Sequence, residues 1–67
     1  MRRFMLRAHD EEVEAEARRL LAALDVDDVE VIRDETVAEA WLDDLEAGRT
    51  IYGLDKIRSY LERLIKG

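Results

Sequence analysis

The chain lacks cysteine altogether. That absence excludes disulfide staples, thiolate metal sites and thiol nucleophiles, and with them redox chemistry by the protein's own side chains. Glycine is scarce, three residues in 67, and neither GxGxxG nor GxxxxGK(S/T) occurs, so Gly48 and Gly53 belong to no phosphate-cradling loop. His9 is the single histidine; without companions for metal ligation or a catalytic triad it reads as a solvated residue at a strand end. The acid pairs Asp27/Asp28 and Asp43/Asp44 do not follow EF-hand spacing. No apolar run approaches the roughly 18 residues of a membrane span, and "MRRFMLRAHDEE" has no apolar core of signal-peptide length. The expectation is a soluble, cytoplasmic, non-enzymatic protein with no catalytic, metal-binding or cofactor-binding residues and no membrane partner.

What is present argues for an ordered fold. Hydrophobic residues make up 48% of the chain and charged ones 42%, a combination that supports a patterned core and not a disordered segment. Residues 1–67 are read as one domain. A chain this short buries only about 60% of its unfolded surface, so a partner, such as a second copy in a homodimer, is one source of added stability. The net charge of -6 is unevenly spread: residues 1–9 carry +3, residues 10–47 carry -12 and residues 48–67 carry +3. Such runs are commonly solvated faces; the sharper reading is a basic edge for an anionic partner or an acidic flank for a basic one.

Periodicity orders the elements. In "RRFMLRA", Phe4, Leu6 and Ala8 alternate with Arg3, Met5 and Arg7, the period-2 pattern of a strand with one buried face. "HDEEVEAEARRLLAAL" switches period: Val13, Ala17, Leu20, Leu21 and Leu24 form a helical stripe, Asp10 is a natural N-cap, and Glu14 and Arg18 are spaced as an i,i+4 pair. "VEVIR", residues 29–33, reads more simply as a β-branched strand, with a helix as the competing reading. Thr36 and Glu39 match a capping box, and Val37, Trp41 and Leu45 line one side of "VAEAWLDDLEA" before Gly48, which predicts a second helix with Trp41 in the core. "RTIYG" is a short strand or a connector. "LDKIRSYLERLIK" places Leu54, Ile57, Leu61, Leu64 and Ile65 at helical spacing.

The predicted fold class is therefore α/β, a small two-layer domain in the order β-α-β-α-(short β)-α with the helices on one sheet face. Parallel strands joined by right-handed crossovers in one direction leave the other face without internal cover. Arg3, Met5, Arg7, Glu30 and Ile32 are expected there, with Ile51 or Tyr52 beside them. Arg3, Met5, Arg7 and Ile32 are the candidate partner or dimer face, and the function this suggests is a small scaffold or protein-interaction module.

Three resemblances bear on this reading. "GRTIYGLDKIRSYLERL", about a quarter of the chain, resembles the last strand and helix of glutaredoxin-like domains. Those families depend on a nucleophile after the first strand and a cis-proline before the third, and this chain has neither cysteine nor proline. "FMLRAHDEEVEAEARRLLAALDVDDVEVIRDE" is similar in spacing to ribbon-helix-helix proteins, and "LEAGRTIYGLDKIRSYL" to the toxin-binding tail of antitoxins built on that fold. That resemblance implies a second helix through Val31, Ile32 and Arg33, antiparallel pairing of two first strands, DNA contacts from Arg3, Met5 and Arg7, and a toxin as protein partner. Finally, the regular caps and the helices filled with Ala, Glu, Leu and Arg resemble a computational design without an evolved function.

Overall fold

A computed structural model describes residues 2–66. The first strand, β1, is Phe4–Ala8, and its burial alternates as the sequence pattern requires: Phe4, Leu6 and Ala8 are buried, Met5 and Arg7 half-buried. Helix α1, Glu11–Ala23, starts at Asp10, whose carboxylate accepts from the Val13 N–H at 2.9 Å, and it buries Ala17, Leu20 and Leu21. Its end is a Schellman turn in which the Asp25 N–H donates to the Ala22 carbonyl and the Val26 N–H to the Leu21 carbonyl. Asp25 holds the left-handed position with φ of 57°.

Strand β2, Val29–Arg33, pairs parallel to β1, with Leu6 opposite Val31. The strand reading of 29–33 therefore holds, and the helix that the ribbon-helix-helix resemblance implies there is not formed. Strands β3, Trp41–Asp44, and β4, Arg49–Tyr52, form an antiparallel hairpin, and β3 pairs antiparallel with β1. The sheet order is β2-β1-β3-β4, so β1 has a neighbour on each side and no free edge for pairing with another copy's first strand. Helix α2, Leu54–Lys66, follows Gly53, so the segment resembling glutaredoxin-like domains does form a strand and a helix.

The element order is thus β-α-β-β-β-α, which corrects the helix expected over 37–47. The Thr36/Glu39 capping box does not form. Asp34 takes its place as organiser, accepting the Thr36 N–H at 2.9 Å and the Thr36 hydroxyl, and thereby turning the chain. Beyond the turn the period is 2: Ala40, Leu42 and Asp44 are buried, with Trp41 and Asp43 between them on the opposite side. The supposed helical stripe is split, with Val37 buried and Leu45 at the hairpin tip 54% exposed. Gly48, with φ of 68°, closes that tip by donating its N–H to the Asp44 carbonyl at 2.8 Å.

One cluster forms the core. Ala17, Leu20 and Leu21 of α1 and Ile57 and Leu61 of α2 pack with Phe4, Leu6, Ala8, Val29 and Leu42 of the sheet. Register places those strand residues on one side, and Met5, Arg7, Ile32, Trp41 and Tyr52 on the other.

Candidate functional site

The side of the sheet away from the core carries two rows of side chains, each drawing one residue from every strand. Ile32, Arg7, Trp41 and Tyr52 stand opposite one another in the first row; Glu30, Met5, Asp43 and Thr50 stand in the second. The pairing alone puts them there, because side chains at matched positions of neighbouring strands project to the same side. Trp41 and Tyr52 meet edge to face, ring centroids 5.2 Å apart and planes at 85°, the geometry aromatic quadrupoles favour. Tyr52 is nevertheless 48% exposed.

The one arginine on this face is ion-paired within it. The Arg7 guanidinium lies 3.4 Å from an Asp43 oxygen and 3.7 Å from an Asp34 oxygen, and it also approaches the Met5 sulfur at 3.8 Å. Thr50 donates its hydroxyl to Asp43 at 2.7 Å. Asp34 is held below the usual carboxylate range, chiefly by the Thr36 hydroxyl and N–H, with Arg7 adding to the effect. The result is an aromatic and aliphatic centre whose polar surround is net acidic, one arginine standing against Asp34, Asp43 and Glu30.

Arg3 does not join this face. Its guanidinium turns to the core side and makes a bidentate pair with Asp44, Nε to Oδ1 at 3.0 Å and Nη2 to Oδ2 at 3.1 Å. The Tyr60 hydroxyl donates to the same carboxylate, and the N–H groups of Glu46 and Ala47 donate to Oδ1, each at 3.2 Å. Arg3, with these donors, holds the Asp44 carboxyl down at about 2, against the pull of burial. The same hydrogen bond pushes the Tyr60 hydroxyl up, because ionising it would remove the donor and set two anions together. With five donors converging, this carboxylate anchors β1, the hairpin and α2, and has no free lone pair with which to act as a base.

Of the four candidate face residues, the structure brings Met5, Arg7 and Ile32 together and sends Arg3 elsewhere. It adds two that the sequence reading missed or left open. The helical spacing of Val37, Trp41 and Leu45 predicts Trp41 in the core, and the structure puts it on the open face; Tyr52 stands beside it, whereas Ile51 points to the core. The signal that could have found Trp41 is the alternation Ala40, Leu42, Asp44, which was concealed by a charged residue at an inward position. His9 is exposed at the turn after β1. Among the described residues no group of three His, Cys, Asp or Glu side chains could hold a metal ion, and no helix is long and apolar enough to cross a membrane.

Fold and site together define a small compact α/β domain with a four-stranded mixed sheet and two helices. Comparison with protein-family models, with curated proteins and with solved structures gives no match.

Proposed function

We propose that the chain is a non-enzymatic protein-interaction module whose open sheet face is covered in function by another protein surface, a second copy of the chain being the simplest. The observation that carries this reading is the row Ile32, Arg7, Trp41 and Tyr52: one aliphatic, one arginine and two aromatic side chains in line, a composition enriched at interface centres. The pairing of Arg7 with Asp43 and Asp34 supports it further, since the guanidinium can be desolvated with its counter-charges in place. Binding by this face needs no catalytic group, and the most displaced carboxyl, Asp44, is engaged in structure.

The alternative, an antitoxin-like protein touching DNA through Arg3, Met5 and Arg7, draws no support from arginines already ion-paired to Asp44, Asp43 and Asp34. The test is sedimentation equilibrium over a concentration series. The native chain is expected to self-associate, and Met5→Lys with Ile32→Lys is expected to disperse it while leaving circular dichroism and thermal unfolding close to native. A native chain that is monomeric throughout sinks the second copy as occupant. Unfolding of the double variant would reverse the assignment of the two sheet faces.

A further inference from the structure

We propose that the free edge of β4, together with α2, takes an extended acidic peptide as a fifth strand of the sheet. This surface adjoins the open face, sharing Thr50 and Tyr52 with it, and adds the groove beside α2. β4 ends the sheet, and its register decides which backbone groups are free. The Gly53 N–H donates to the Ala40 carbonyl, so in an antiparallel ladder the pairs Leu42/Ile51 and Asp44/Arg49 bond directly. Thr50 and Tyr52 then point their amide N–H and carbonyl groups outward, and among the described residues neither has a backbone partner in a turn or loop.

The opposite edge is guarded. There Arg2 donates to the outward Val29 carbonyl at 2.6 Å, and Arg33 is drawn to Glu14 of α1 at 2.8 Å. Among the described residues nothing comparable covers β4.

A groove of about 420 Å³ runs beside that edge, between Ile51 of β4 and Lys56, Ser59, Tyr60 and Arg63 of α2, with Asp55 as the one acid in its lining. Every ion-paired arginine among the described residues lies in the first half of the chain: Arg3, Arg7, Arg18 and Arg33. Lys56 and Arg63 have no such partner among the described residues. An edge strand next to a helix-lined groove is the arrangement by which extended peptides are added to sheets, main-chain bonds giving affinity and alternate side chains giving specificity. In an added strand, alternate side chains point into the groove towards Lys56 and Arg63, and the others towards Thr50 and Tyr52. Carboxylates suit the first set and apolar side chains the second. A second copy is the poorer occupant, because pairing two β4 edges would bring two sets of Lys56 and Arg63 together.

The experiment titrates the isotopically labelled full chain with a short peptide of alternating glutamate and valine, followed by amide chemical shifts and by anisotropy of a labelled peptide. Shifts are expected at Thr50, Ile51, Tyr52, Lys56 and Tyr60, with a lysine-valine peptide binding at least about tenfold more weakly. Lys56→Glu with Arg63→Glu should invert that preference. N-methylation of the peptide at alternate residues should abolish binding, and so should Thr50→Pro, which removes an outward N–H where an edge strand tolerates proline. Equal binding of both peptides, shifts confined to Met5, Ile32 and Trp41, or no shifts at millimolar peptide would each overturn the proposal.

Discussion

Arg3 grips both oxygens of Asp44 and so ties the entry of β1 to the end of β3, 41 residues later in the chain. The Asp44 side chain is wholly buried, and its carboxyl sits at about 2 against an ordinary 3.8. A carboxyl whose pKa is lower folded than unfolded adds stability that is complete above its unfolded value and is lost as pH falls towards the folded one. Urea titrations are expected to show about 2 kcal/mol of stability disappearing on this account between about pH 5 and pH 2. Asp44→Asn should cost about 2 to 4 kcal/mol at neutral pH, since Arg3 is left with only the exposed Glu46 at 3.8 Å and the carboxylate's donors lose an acceptor. The same variant should flatten the acid limb; an unchanged limb would assign it to other carboxylates.

Trp41 and Leu42 are adjacent in sequence and opposite in consequence. Leu42 is fully buried, so Leu42→Ala should destabilise by about 2 to 5 kcal/mol. Trp41→Ala forfeits an edge-to-face contact and part of a half-buried ring, and should cost about 1 to 2 kcal/mol while weakening self-association. Chemical denaturation of the two variants side by side checks this. A larger loss from Trp41→Ala would restore it to the core.

Backbone conformation supplies a third prediction. Asp25 holds φ of 57° at the end of α1, where glycine is freer, so Asp25→Gly should stabilise by about 0.5 to 1 kcal/mol in thermal unfolding. Gly48→Ala, at φ of 68° with no atom within 4 Å of the new Cβ, should cost about 1 kcal/mol from the backbone alone. Gly53→Ala should cost more, because φ is 92° and the Cβ would come within 2.9 Å of the Glu39 carboxylate. Equal losses at the two glycines would mean that Glu39 swings away freely.

Much of the architecture is legible locally. The alternation of Phe4, Leu6 and Ala8, the Asp10 cap and the Leu20/Leu21 stripe each depend on neighbours a few residues away, and each appears where the pattern puts it. Residues 37–47 are different. Val37, Trp41 and Leu45 satisfy a helical spacing as well as Ala40, Leu42 and Asp44 satisfy a strand, and the local signals favoured the helix. The tie is broken by hydrogen bonds to β1 and β4, which a local reading does not contain.

The same division applies to the candidate site. By itself the sequence determined that β1 has one apolar and one mixed side, that two helices are amphipathic, and that Met5, Arg7 and Ile32 belong on the side away from the core. Only the tertiary structure decided that Arg3 leaves this group for Asp44, that Trp41 and Tyr52 enter it, and that β4 becomes an edge beside α2. The reason is physical. Side-chain direction along one strand follows from the pleat, whereas a buried charge, a cross-strand aromatic pair and a sheet edge exist only once distant segments have chosen their partners and register.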